Sequence, residues 1–324
     1  MIAPERATRR FSFVTLVAFF LVGAVISSVG QSGQSESPGQ QLLRAVEKGD
    51  VVAVRRLLDN GAALESTDAN GATPLILAAE NANSAMVKLL LEKGANLAAE
   101  DQNRETPLIH AARNGSAEIV EALVERTPAT RDRERALFAA AESGPVAVLY
   151  VQGNEARGPQ ADPAELPWVR TVKVLLNKGV AVDARRDEDN STPLIEAASH
   201  GQLEIVQLLL NKGAQVDAAD NDGNTALTAA ACECAQATMR STYEIVRLLL
   251  DRGANVNART HDGTTALMNA AGGFGPTETI TLLLARGADA KAKNDDGKTA
   301  LTFATETQRG EATEALRKAM ADEH

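Results

Sequence analysis

From Asp68 onward, short apolar runs alternate with polar turns in a recurring order. "NGATPLILAA" (70–79) leads to the apolar stretch "MVKLLLEK" (86–93) and then Gly94, and the unit from Asp68 to Glu100 spans 33 residues. The outline returns as "NRETPLIHAA" from Asn103, "DNSTPLIEAA" from Asp189, "DGNTALTAAA" from Asp222, "DGTTALMNAA" from Asp262 and "DGKTALTFAT" from Asp296. Each unit predicts a turn, a short buried helix, a second helix and a stop. Gly71 permits the positive φ of a tight turn. Thr73 can cap the first helix, and Pro74 fits its first turn, where no amide donor is required. Gly94 closes the second helix in the left-handed conformation. Neither helix is long enough to stand alone, nor broad enough in its apolar stripe to bury itself, so the pattern predicts copies stacked on one another.

These recurring residues resemble the ankyrin repeat, a unit of about 33 residues marked by Thr-Pro-Leu-His-x-Ala. The resemblance implies an all-α fold, an ankyrin-repeat solenoid of stacked helix-turn-helix units with short turn or β-hairpin fingers. About eight units are expected: a degenerate first one over Gln41 to Thr67, full repeats from Asp68, Asp101, Asp187, Asp220, Thr260 and Asn294, and a broken fourth unit between Thr130 and Arg186. No repeat keeps the motif's His, whose place is taken by Ile76, Ile109, Ile195, Thr228, Met268 and Thr302. The bracing that this His supplies in the family is therefore expected to be missing, which bears on loop rigidity. His110 falls one position later and reads as structural. The fingerless first unit and the charged last helix, "EATEALRKAMADEH", both read as caps, since an outermost repeat must face water.

The first thirty residues follow another rule. Arg6, Arg9 and Arg10 precede an apolar run, and Ser28, Val29 and Gly30 then supply small residues, the order of an export signal. Residues 1–30 are expected to be cleaved, giving an exported, bacterial-type protein that is periplasmic or secreted. The other reading is a membrane anchor formed by residues 11–29. Residues 31–40 read as a flexible linker and 41–324 as the array, with inserts near 145–167 and 232–242. The large insert carries Pro145, Pro159, Pro163 and Pro167. Its apolar "VAVLYVQG" could form a hairpin or fold back, and Tyr150 with the following Trp168 suggests packing on the array or a share in recognition, the other reading being an idle loop, since loops tolerate insertions readily.

Composition narrows the chemistry. With 44% hydrophobic residues but only 3% aromatic, the core must be built from small and aliphatic side chains. A net charge of −10, becoming −12 on 30 basic and 42 acidic residues without the signal, argues against nucleic acid or an anionic membrane as partner of the array. Four His, none near another, two Cys, and the absence of a phosphate loop or nucleophile elbow argue against an enzyme, a cofactor or a metal. Cys232 and Cys234 read in three ways: a strained disulfide, a soft-metal pair that lacks further ligands, or two small packed residues.

A long array without catalytic residues mainly offers surface. The function expected is a protein-protein interaction scaffold, monomeric, gripping a partner protein by turn tips and concave first-helix faces. In the family these tips make most contacts, which maps here onto Gln102, Asn103, Glu105, Glu188, Asp189, Asn221, Asp222, Asn224, His261, Asp262, Asp295 and Asp296, with Arg131 and Arg133 interrupting the row. The carboxylates would favour a partner with a basic surface. Tight turns also favour Asp and Asn for their own reasons. The alternative function is a protective or chaperone-like envelope factor supporting a stress enzyme.

Overall fold

Pairs of short helices recur eight times along the described residues, 36–128, 130–144, 166–232, 239–273 and 275–322, of this computed structural model. The first helices are α1 (Pro38–Glu47), α3 (Pro74–Glu80), α5 (Pro107–Arg113), α7 (Thr130–Glu142), α9 (Pro193–Ser199), α11 (Ala226–Ala231), α13 (Ala266–Gly272) and α15 (Ala300–Glu306). The second helices are α2 (Val51–Asp59), α4 (Ser84–Glu92), α6 (Ala117–Val124), α8 (Pro167–Asn177), α10 (Leu203–Asn211), α12 (Met239–Asp251), α14 (Thr277–Ala285) and α16 (Gly310–Asp322). First helices pack on first helices and second on second, in chain order. The array is an all-α repeat solenoid. Among the described residues the only β pairing is the isolated bridge Arg259–Thr265 at the foot of one finger.

The starts of the first helices follow from sequence. Thr73, Thr192, Thr225, Thr265 and Thr299 each accept the N–H of the third helical residue. Leu75, Leu108, Leu137, Leu194, Leu227 and Leu267, at most 1% exposed, then form a continuous apolar row. Burying each contributes about 1.5–3 kcal/mol relative to exposure. The buried alanine pairs behind them, such as Ala111 with Ala112 and Ala197 with Ala198, let adjacent first helices approach closely. On several second helices the residue closing the helix reaches back to the preceding one: Lys93 to Asp59 at 2.6 Å, Lys212 to Asn177 at 3.0 Å, Arg286 to Asp251 at 2.7 Å. Exposed pairs of this kind add little stability singly, but their repetition marks one stacking register.

The fingers brace themselves without the motif's His. Asp68 accepts the amides of Asn70 and Ala72 at 2.8 Å; Asp101 serves Asn103 and Glu105, and Asp220 serves Asp222 and Asn224. Thr260 and Asn294 do the same for Thr264 and Lys298. At the motif's His position, Thr228 and Thr302 close capping boxes with Thr225 and Thr299. The bracing expected to be lost is thus replaced.

Several boundaries differ from the sequence reading. Helix α1 begins at Pro38, whose missing N–H suits a first helical position, so helix starts inside the stretch read as linker. The fifth finger starts at Arg186, not Asp187: the Arg186 amide bonds the Ser191 carbonyl in a turn one residue longer than the others, with Asn190 at φ 60°. Pro167 lies in α8 and Met239 opens α12, so both inserts are shorter than read. The fourth unit has no finger at all. Its sequence "TRDRER" offers no Gly or Asn for a turn, and α7 instead runs for 13 residues, with Thr130–Arg135 as extra helix. The candidate export signal, the first half of the linker and residues 145–165, with Tyr150, lie outside the described residues. No described helix is long and apolar enough to cross a membrane.

Candidate functional site

Neighbouring finger tips are zipped together by backbone. The Gln102 amide donates to the Asn70 carbonyl at 3.0 Å, Asn221 to Asp189 at 2.8 Å, His261 to Asp222 at 2.8 Å and Asp295 to Asp262 at 2.9 Å. The result is one short ridge on repeats two and three and a longer one on repeats five to eight. Helix α7 spans the gap with arginines: Arg135 donates to the Arg104 carbonyl at 2.6 Å, and Arg131 pairs with Asp187 at 2.7 Å.

The residues expected at the tips divide into two sets. Some are consumed by the fold. Gln102 donates to Ala69 O, Glu105 takes Arg113, Asp189 accepts the Ser191 amide, and Asn224 donates to Asp220. Asp262 accepts the Thr260 hydroxyl and the Thr264 amide. The Thr260 hydroxyl is the main cause that holds its carboxyl below the usual range, against partial burial. Arg133 is turned inward, its Nε donating to Thr127 O at 2.7 Å, and so is not the open positive charge expected. The second set is exposed. The side chains of Asn103, Glu188, Asn221, Asp222, His261, Asp295 and Asp296 make no hydrogen bond or ion pair among the described residues.

Where the fourth finger is missing, a cleft of about 290 Å³ opens over α7, between α5 and the fifth turn. Ile109, Phe138 and Ala139 line its floor; Glu105, Arg113, Glu134, Arg135, Glu142 and residues 185–189 line its walls. At its centre Arg186 pairs with Glu142 at 2.7 Å and Glu196 at 2.8 Å, its guanidinium 5.0 Å from the Phe138 ring centre. Burial pushes the Glu142 carboxyl up despite Arg186. Burial also opposes the charge on Arg186, but Glu196 and Glu142 prevail and raise its pKa. The sequence reading missed this node. Its signal was the helical spacing of Arg131, Glu134, Phe138 and Glu142, legible only if α7 starts at Thr130.

The third repeat gathers another cluster. His110 Nε2 lies 3.0 Å from Asp101 Oδ2 and 3.7 Å from Glu105 Oε2. Among the described residues, these three form the one group whose donor atoms could together hold a metal ion, all within 4.8 Å of one another. Burial disfavours the Asp101 carboxylate, yet the Glu105 amide and the His110 ring outweigh it and keep its pKa low. His110 thus braces its own finger, as a structural residue would. Trp168, opening α8, donates Nε1 to Arg113 O at 2.9 Å and packs partly buried against the array. Cys232 ends α11, exposed, and Cys234 lies outside the described residues.

A family model described as ankyrin repeats, in copies of three, matches residues 35–101, 93–155, 168–260 and 233–323. No curated protein matches the chain.

Proposed function

Because the chain belongs to the ankyrin-repeat family, whose arrays are generally protein-protein interaction modules, we propose that it is a binding scaffold for a partner protein with a basic surface. The observation carrying this is the division among the tips. Glu188, Asp222, Asp295 and Asp296 stand exposed and unpaired on the ridge of repeats five to eight, whereas Asp101, Asp220 and Asp262 serve their own turns. Turn chemistry explains the second group and leaves the first available.

Spacing supports the same reading. Packed helices lie about 8–10 Å apart. An extended segment advances about 3.3 Å per residue, so a basic side chain at every third residue meets successive fingers. Unpaired carboxylates speed encounter with such a partner, and the advantage fades with salt as the Debye length shrinks to about 10 Å at 0.1 M. The signal-like order of residues 1–30 favours an encounter outside the cytoplasm, a part of the proposal resting on sequence alone.

The test is capture by the immobilised chain beside a variant carrying Asp222→Lys, Asp295→Lys and Asp296→Lys. These positions leave the turn bonds intact, whereas Asp262 would not. A stoichiometric partner held by the parent and lost by the variant supports the proposal. Many unfolded clients held equally by both would put a chaperone-like role in its place.

A further inference from the structure

We propose that Asp101, Glu105 and His110 form a site for one divalent transition-metal ion of the zinc class, beside the cleft whose wall Glu105 lines. The three residues come from the finger and first helix of a single repeat, and each carboxylate is already divided between two tasks. Asp101 Oδ1 accepts the amides of Asn103 and Glu105 at 2.8 and 2.9 Å, leaving Oδ2 facing His110. Glu105 Oε1 takes the Arg113 guanidinium, leaving Oε2 on the same imidazole nitrogen. Outer partners of this kind orient ligands and fix which oxygen is offered.

The spacing suits a small ion. Zinc binds imidazole nitrogen and carboxylate oxygen at about 2.0–2.2 Å, so two ligands of a tetrahedral site lie roughly 3.4 Å apart. The observed 3.0 and 3.7 Å bracket that separation. One imidazole with two carboxylates is a nitrogen and oxygen set that favours a first-row transition ion over calcium or magnesium. The side chains are 12%, 6% and 16% exposed for His110, Asp101 and Glu105, sheltered, with Glu105 on the cleft wall; a tetrahedral ion would take a water as its fourth ligand. On binding, Nε2 must give up its hydrogen, which shifts to Nδ1 if the ring is neutral and leaves to solvent if the ring is doubly protonated.

Thr106, between Glu105 and the body of α5, differs from its five counterparts in making no cap bond, and its Oγ1 is buried without a partner, as are those of Thr242 and Thr279 elsewhere in the array. The constellation is specific to this repeat: the matching positions hold Arg186, Ser191 and Glu196 in the fifth repeat and Asp220, Asn224 and Ala229 in the sixth.

The experiment is calorimetric titration of the full chain with zinc chloride, with Cys232→Ser and Cys234→Ser in the background so that thiols do not compete. One zinc per chain is expected. His110→Ala should weaken binding at least about 100-fold, since losing an outer partner alone costs about 10–100-fold. Asp101→Asn guards against mere misfolding: asparagine can keep the turn bonds, as Asn294 does in the eighth repeat, but loses the ligating charge. It should also lose zinc while its melting temperature without metal is unchanged. His200→Ala should bind like the parent. Absence of stoichiometric zinc in the parent, or undiminished binding by His110→Ala or Asp101→Asn, would overturn the proposal.

Discussion

Replacing Arg186 with methionine should loosen the array between its fourth and fifth repeats. The guanidinium holds Glu142 on α7 and Glu196 on α9, so its removal strands two carboxylates across one repeat interface. Breaking a fully buried pair by deleting one partner costs about 3–5 kcal/mol. Here the side chains are 27%, 31% and 12% exposed for Arg186, Glu142 and Glu196, so water recovers part of that, and the expected loss is about 2–3 kcal/mol at pH 7. The loss should depend on pH in a known direction. The folded pKa of Glu142 lies above its ordinary 4.5 because burial outweighs Arg186. Its contribution is therefore fully present below about pH 4.5 and is lost as pH rises through the folded value. Without the guanidinium that folded value climbs further, so the penalty should widen from pH 5 to pH 7, by about 1.4 kcal/mol for each tenfold weakening of the carboxyl as an acid. Urea unfolding followed by circular dichroism at both pH values measures this. Because a repeat array unfolds through its interfaces, transition slope and midpoint both need recording. Adding Glu142→Gln should restore part of the loss at pH 7. A loss below about 0.5 kcal/mol, or one equal at the two pH values, would refute the account of this node.

Two further perturbations probe the frame around the ridge. Gly223→Ala should destabilise by about 1–2 kcal/mol, because the residue sits at φ 80° and a Cβ would meet the His261 backbone nitrogen at 3.0 Å; Gly297→Ala, at φ 74° with open space around it, should lose less in the same thermal melts. Trp168→Phe keeps an aromatic ring, though a smaller one, and deletes the Nε1 bond to Arg113 O; it should cost about 1–2 kcal/mol by urea titration while leaving helix content unchanged.

The repeat frame was legible because it rests on local chemistry. Thr before Pro or Ala, Gly at the tip and Leu at fixed steps act within a few residues, so Thr73, Gly71 and Leu75 announce their roles without knowledge of the rest. What sequence concealed depends on neighbours. Asp222 and Asp262 look alike in "DGNT" and "DGTT", yet only Asp262 has Thr260 two residues earlier to hold it. Arg133 read as an open charge because the carbonyl it meets, on Thr127, lies in the loop closing α6. Arg186 looked like the last residue before a finger; one extra turn residue made it the first and brought it between Glu142 and Glu196, 44 residues back and 10 ahead. Asp101, Glu105 and His110 were each visible, but only the fold of the finger onto its own helix brings their polar atoms to one point.

The central claim is that the unpaired carboxylates of repeats five to eight read a basic partner. It is tested most directly by the association rate of the captured partner, measured by surface plasmon resonance at low and at physiological salt. The reference variant carries Lys88→Glu and Arg247→Glu, which change charge on the second helices, away from the tips, where both residues pair with local carboxylates. For the variant with Asp222→Lys, Asp295→Lys and Asp296→Lys, the account predicts at least a tenfold slower association at low salt, with the difference shrinking as salt rises, while the reference variant stays within about twofold of the parent. Equal slowing by both variants, or by neither, would contradict it.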